Sequence, residues 1–358
     1  MWHRIPGREA SKMTPALTIT IDTELDNEWL PGAAAGDTNL ERLPEVHARL
    51  TALGARPTYL VTYGALNSSV GAKLLGEVAR AGACEIGAHL HPWETPPLDG
   101  REGGPLASHT FPSELEPDVL QAKLARLTEV LAQATGRQPL SYRAGRWGMD
   151  GQGIALLQEA GYLVDTSVSP LICWHAGRCG DHGRGRPCFK RAPVFPYFPD
   201  VRDITRPGGS SVLEVPVSLR LNRNARALRA VYSALHPRHP VLRALRASGI
   251  VRPVWMRPTY LTAPQMIWLA RTLLSEGLPV VNMMFHSSEL TVGTSPYVSS
   301  ERALGRMWQR IEQTLLYLLR EERLTPLTLS EFRAHWADRG SELATGTAQA
   351  LPAGRPVC

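Results

Sequence analysis

Asp22 and Glu24 stand two residues apart in ALTITIDTE, and His89 and His91 stand two apart in EIGAHLHPW. On an extended strand, residues i and i+2 face the same side. Each pair therefore presents two polar groups to one surface. Two imidazoles and one or two carboxylates form a suitable first shell for Zn2+ or another divalent metal, with a position left for water. His89 and His91, with Asp22, Glu24 or both, are the candidate ligands. His286 closes the apolar run PVVNMMFH and is followed by Ser287, Ser288 and Glu289. A histidine at the end of a buried strand can serve as a general acid near neutral pH. Arg143, in SYRAGRWG, can hold a carboxylate in a fixed pose through two hydrogen bonds. Each residue also has a plainer reading. Asp22 could cap a loop, the histidine pair could pack beneath the Pro-rich segment, His286 could be a satisfied core histidine, and Arg143 could sit in a surface ion pair. Their shared placement favours chemistry, because all of them, with Asp165, fall at the C-terminal ends of predicted strands.

Those strands come from short apolar runs alternating with helical stretches. Predicted strands are Ala16–Asp22, Pro57–Thr62, Cys84–His89, Leu140–Ala144, Tyr162–Ser167, Ser211–Leu219, Pro279–His286 and Pro326–Leu329. Predicted helices are Thr38–Leu53, Asn67–Ala81, a long one within Pro112–Thr135, Gly151–Ala160, Ala263–Glu276, Ser300–Arg320 and Ser330–Trp336. The alternation predicts an α/β fold built on a parallel sheet, open or closed. In a closed parallel barrel, the C-terminal strand ends converge on one mouth. The expected organisation is an N-terminal arm over 1–14, one barrel domain over 15–338 and a disordered small-residue tail over 339–358. Two insertions interrupt the barrel, at about 170–210 and 222–258.

The ordered set TIDTE, EIGAHLHPW, YRAGRWG, DTSVSP and MMFHSSEL resembles the polysaccharide deacetylase family (carbohydrate esterase family 4, NodB-like), as a divergent branch. The resemblance spans about residues 17–332. It implies a distorted (β/α) barrel and metal-dependent hydrolysis of N-acetyl groups on amino sugars. It implies that Asp22 is the catalytic base, His89 the first metal histidine, Arg143 the arginine that orients the base and His286 the catalytic acid. By a looser match, Asp165 would be the carboxylate that tunes the acid. The sequence departs from the family at two places. Thr23 stands where the family places a second, metal-binding aspartate, with Glu24 as the nearest substitute. Trp93 stands where the family places its second metal histidine, and His91 is the spare imidazole.

The expected function is hydrolysis of non-peptide carbon–nitrogen bonds, removing N-acetyl groups from an amino-sugar glycan or precursor. Zn2+ is the expected metal, with Co2+ or Ni2+ as alternatives. Trp93, Trp147 and Trp174, together with Trp29, are candidate platforms for sugar rings. Two other readings stay open: an amidase for a small non-sugar amide in the same fold, and an inactive relative that only binds glycans. A glycosidase using Asp22 and Glu24 as its carboxylate pair would leave the three histidines without a role.

Composition narrows the class. The 358 residues are 43% hydrophobic and 20% charged, which excludes a wholly disordered chain or a simple coiled coil. Lys and Arg number 39 against 33 Asp and Glu, a formal charge of +6. No run of about 18 apolar residues marks a membrane span. No apolar core of secretory type follows the first residues, so the expected location is cytoplasmic. Five cysteines, an odd number, predict free thiols. Cys173, His175, Cys179, His182 and Cys188 lack paired zinc-knuckle spacing and read as part of a lid rather than a structural zinc site. The arginines from Arg220 to Arg257 could meet an anionic glycan, a sugar nucleotide or, peripherally, a membrane surface, or could form a solvated face. No motif supports nucleic-acid binding.

Overall fold

Seven strands run parallel in one curled sheet: β1 (Ala16–Thr23), β2 (Pro57–Val61), β3 (Glu85–Leu90), β4 (Ser141–Ala144), β5 (Val164–Asp165), β8 (Leu213–Glu214) and β11 (Val280–His286). Their spatial order is β11-β1-β2-β3-β4-β5-β8, and the short β12 (Thr325–Pro326) pairs with the start of β1. Every residue of β1 is buried. Its near-continuous apolar run is what a strand covered on both faces requires. The gap between β8 and β11 is bridged by irregular backbone. Ser218 donates to the Asn282 carbonyl at 3.2 Å, Met256 to that of Ser218 at 2.9 Å, and Met284 to that of Met256 at 3.0 Å. The result is a distorted (β/α) barrel, as expected. The computed structural model describes residues 14–28, 30, 36–98, 110–174, 186–223, 228, 231–232, 234–235 and 239–336. The predicted arm and tail therefore lie outside the described residues, apart from Met13's neighbour Thr14.

The helices follow from their apolar spacing. Pro117–Thr135 starts with Pro in its first turn, buries Leu120, Leu124, Leu127 and Leu131, and ends at the left-handed Gly136. Glu301–Arg320 is capped by Ser300, which accepts from the Ala303 amide. It buries Met307, Ile311, Leu315 and Leu318. The predicted helix Thr38–Leu53 is split into Thr38–Glu41 and Leu43–Ala52, with Pro44 in the first turn of the second piece. Likewise Asn67–Ala81 begins as a separate turn, Tyr63–Asn67, before Gly71–Ala81.

The first insertion contains more structure than its composition suggests, and the second is partly helical, as its sequence predicts. The first carries the hairpin β6 (Pro199–Asp200) and β7 (Asp203–Pro207). The second carries the helix Pro240–Ala247, flanked by the antiparallel pair β9 (Leu219–Leu221) and β10 (Pro253–Trp255). One expectation fails here. Cys173 and Cys188 are joined by a disulfide rather than standing free, because an antiparallel bridge sets these two residues opposite each other. Cys84 is a free thiol. His175, Cys179, His182 and Cys358 lie outside the described residues.

Candidate active site

The strand ends deliver the predicted residues to one place. Asp22 closes β1 opposite His286 of β11, and His89 of β3 lies opposite Arg143 of β4. Two glycines make the approach possible. A Cβ on Gly87 would sit 2.6 Å from the Ser141 carbonyl oxygen, and one on Gly145 would sit 2.5 Å from Cδ2 of His91. Only residues without a side chain fit there.

Arg143 is fully buried, which rules out the surface ion pair. It donates to Asp22 Oδ1 through Nη1, to Thr20 Oγ1 at 2.7 Å, and to the Thr166 carbonyl at 3.1 Å. Asp22 Oδ2 is left facing the pocket, 3.8 Å from His286 Nε2 and 3.9 Å from His89 Nε2.

Glu24, His89 and His91 converge beside it. His89 Nδ1 lies 2.9 Å from the Arg143 carbonyl, an acceptor, so this nitrogen carries a hydrogen and Nε2 is the atom a metal could meet once its own proton leaves. His91 Nδ1 lies 2.5 Å from Glu28 Oε1, and its Nε2 is likewise turned inward. The three inward atoms are separated by 3.1 Å (His89 to Glu24), 3.1 Å (His89 to His91) and 3.5 Å (His91 to Glu24). For a tetrahedral cation with bonds of about 2.0–2.1 Å, the edges of the polyhedron are about 3.3 Å. The donor chemistry and the spacing therefore fit a divalent metal. The partners at both Nδ1 atoms are the outer-shell contacts that orient such ligands. Among the described residues, the groups able to hold a cation all belong to this pocket: Glu24–His89–His91, Asp22–Glu24–His286 and Glu28–His91–Glu94.

The charges are tightly coupled. Burial would raise Glu24, but His286, His91 and His89 hold it far below the usual carboxylate range. Burial works against protonating His89, yet Asp22 and Glu24 outweigh it and lift the imidazole to about 9. Burial draws His91 down to about 4 against the attraction of Glu24. Burial and the Glu24 charge push Glu28 up to about 8. Burial and Glu28 place Glu94 well above its ordinary value.

On the other side, His286 Nδ1 lies 2.9 Å from Glu289 Oε1 and 3.0 Å from Arg257 Nη2. Ionised Glu289 can only accept, so Nδ1–H points to it, and Arg257 donates to the same carboxylate. Thr259 Oγ1 donates to the second oxygen of Glu289. Burial opposes ionisation of Glu289, but Arg257 and His286 bring it down to about 2. Asp165 does not have the role expected of it. It accepts from Ser167 Oγ at 2.5 Å and pairs with buried Glu214 on the adjacent strand, so the carboxylate beside His286 is Glu289. Burial raises Asp165, and burial with the Asp165 charge raises Glu214 well above its ordinary value.

The predicted aromatic residues are close at hand. Trp93 is buried and stacks on His91, with ring centroids 4.3 Å apart at 27°. Trp147 lies parallel to Trp174 at 6.5 Å and meets Trp255 edge-on at 5.7 Å. Trp29 lies outside the described residues. Sequence reading missed Glu28, Glu94, Glu289, Arg257 and Trp255. It also missed two supports. Asn39 donates to the Glu24 carbonyl at 3.0 Å and accepts from Ser287 at 2.6 Å, tying together the loops after β1 and β11. Buried Lys123 donates to the carbonyls of Pro92, Thr95 and Pro97 at 3.0, 2.6 and 2.7 Å, pinning the loop after His91.

The arginine-rich stretch is not one solvated face. Arg220 and Arg257 are buried, and Arg220 pairs with Glu276 at 2.8 Å, while Arg243 and Arg252 are exposed. Arg226, Arg229 and Arg238 lie outside the described residues. No described helix is long and apolar enough to cross a membrane.

No protein-family model matches the chain, and no curated protein sequence matches it. Among solved structures, it is similar to a candidate polysaccharide deacetylase from Mycobacterium smegmatis, with 16% identity and a TM-score of 0.51 over 97% of this chain and 96% of that one. It is also similar to a candidate glycoside hydrolase/deacetylase from Parabacteroides distasonis, with 11% identity and a TM-score of 0.56 over 90% of this chain and 71% of that one. These likenesses show the fold: a deacetylase-type distorted barrel.

Proposed function

We propose that the protein is a metal-dependent amide hydrolase of a divergent deacetylase branch, removing N-acetyl groups from an amino-sugar glycan or its precursor. The observation that carries this reading is the facing pair Asp22 Oδ2 and His286 Nε2, 3.8 Å apart, beside the three converging atoms of Glu24, His89 and His91. Glu24, His89 and His91 would hold the metal, with Zn2+ first and Co2+ or Ni2+ next. A divalent cation there supplies Lewis acidity, acidifying water and polarising an amide carbonyl.

The chain's own residues do the rest. Asp22, with Oδ1 fixed by Arg143, accepts the proton of the attacking water on Oδ2. His286, with Nδ1–H held by Glu289, delivers a proton from Nε2 to the departing nitrogen. The 3.8 Å separation is too long for a direct hydrogen bond, so neither atom is tied to the other. Trp93, Trp147 and Trp174 form the proposed apolar wall, with Trp93 acting through the His91 ring it supports.

The test is acetate release from N-acetylglucosamine oligomers by Zn2+-loaded full-length protein. Asp22→Asn and His286→Ala should each lower kcat by roughly 10²–10⁴-fold, with an unchanged circular dichroism spectrum. Wild-type turnover in both variants would overturn the assignment of base and acid.

A further inference from the structure

We propose that Tyr260 and Tyr297 form a ring-binding rim beside His286, where the pyranose ring on the amine-bearing half of the substrate docks. This rests on the hydrolase reading above, since it takes His286 as the acid that meets the departing nitrogen. Tyr260 is 51% exposed and Tyr297 is 40% exposed. The two rings pack edge to face, 6.2 Å apart at 84°. Buried Arg257 lies beneath both, its guanidinium carbon 4.7 Å from one centroid and 5.6 Å from the other. The inner side of the pair is thus held by a cation, an attraction that aromatic faces favour, while much of both rings faces solvent.

The same guanidinium reaches His286 Nδ1 at 3.0 Å. End to end, these contacts place the Tyr260 ring centroid no more than about 9 Å from that imidazole nitrogen. Nε2, which delivers the proton, is about 2 Å further across the imidazole, a reach that the amine-bearing sugar together with the ring linked to it can span.

The rim is rigid for residues so exposed. Thr259, next to Tyr260, donates to buried Glu289, and Arg310 donates to the Pro258 carbonyl at 2.8 Å. On the Tyr297 side, Thr294 Oγ1 donates to the Ser288 carbonyl at 2.8 Å, and the Asn27 amide donates to the Thr294 carbonyl at 2.9 Å. Ordering these rings on binding therefore loses little entropy. Tyrosine offers an apolar face with a hydroxyl at its tip. A pyranose offers the complement, an apolar C–H face edged by hydroxyls. The position fixes which half of the substrate is met. The metal-ligand side, Glu24–His89–His91, faces the acyl group, and the His286 side faces the amine.

Two measurements test this. Isothermal titration of N-acetylglucosamine tetramer into full-length Asp22→Asn protein, alone and combined with Tyr260→Ala or Tyr297→Ala, reads ring binding without turnover. Hydrolysis of the tetramer and of N-ethylacetamide by the single Tyr variants reads the two substrate halves separately. Each alanine should weaken tetramer binding by roughly tenfold and lower kcat/KM on the tetramer to match, leaving N-ethylacetamide unchanged. Tyr260→Phe and Tyr297→Phe should keep the parent affinity. Unchanged tetramer affinity in the alanine variants overturns the rim while the hydrolase reading stands, as does equal loss on both substrates. Ring affinity lost in the alanine variants, with no acetate released from any substrate by the wild type, keeps the rim and overturns the hydrolase reading. A wild type that neither binds nor cleaves the tetramer overturns both.

Discussion

The pocket holds two histidine–glutamate corners of the same residue types and opposite electrostatics. At His91, the partner Glu28 sits with Glu94 and, among the described residues, pairs with no arginine, and burial pushes Glu28 up to about 8. At His286, the partner Glu289 is clasped by buried Arg257 and falls to about 2 despite burial. The His91 imidazole is drawn down to about 4 by burial, so it stays neutral, the form that can bind a metal. The His286 imidazole donates Nδ1–H to a carboxylate that stays ionised down to about pH 2. The environment, rather than the residue type, sets the two corners apart. One added guanidinium makes the difference.

Changes at the two corners should therefore have different readouts. The largest effect is expected for His91→Ala, which removes a metal-facing nitrogen. Zn2+ affinity, measured by competition with a chelator, should fall more than a hundredfold, whereas Glu289→Gln should leave it within a few-fold. Glu289→Gln should instead lower kcat by roughly 10–100-fold at unchanged metal content. If Glu289→Gln empties the metal site, the division between the corners is wrong. Glu28→Gln comes next. It disturbs an outer-shell partner and should cost about 10–100-fold in Zn2+ affinity.

Much of this pocket is legible in the sequence. Asp22, Glu24, His89 and His91 show themselves because a period of two on a strand places each pair on one side. Arg143 and His286 show themselves at strand ends. Glu28 does not, because it lies in the loop after β1, where no periodicity says which way a side chain turns. Glu289 is only three residues beyond His286, but the 3-10 turn Ser287–Leu290 that brings it back beneath the imidazole has no clear sequence signal. The loose family match gives Asp165 as the carboxylate that tunes the acid, yet in the fold Asp165 pairs with Glu214. Arg257 was hidden among exposed arginines, and burial, which the sequence does not display, sets it apart. The disulfide Cys173–Cys188 was obscured by the odd cysteine count and by the irregular backbone that pairs the two.

Stability should expose the same contrast. Arg257→Met leaves Glu289 buried without its cation and should cost about 3 kcal/mol in denaturant unfolding. Glu28→Gln removes a buried acid that already favours its neutral form, and in metal-free protein it should be neutral or slightly stabilising. Equal losses from the two would break the comparison.

The smallest expected effects are in pH dependence. Glu289 has a depressed pKa, so its contribution is present above about 4.5 and is lost as pH falls toward about 2. Glu28 and His89 have raised values, so the metal-free fold binds extra protons there. Their contributions are complete below about 4.5 and 6.5 and are lost as pH rises through about 8 and 9 respectively. Metal-free protein should therefore weaken between about pH 5 and 9, and Glu28→Gln should flatten the lower part of that slope. A wild-type slope of the opposite sign in metal-free protein would show that these protons are not held in the fold.

The most direct test of the central claim is Zn2+ titration of metal-free full-length protein, with elemental analysis of wild type, His89→Ala and His91→Ala. About one equivalent should bind to the wild type, with release of protons as His89 gives up its own, and the binding should be lost in both variants. Wild-type protein that binds no divalent metal, or variants that retain the full equivalent, would contradict the account.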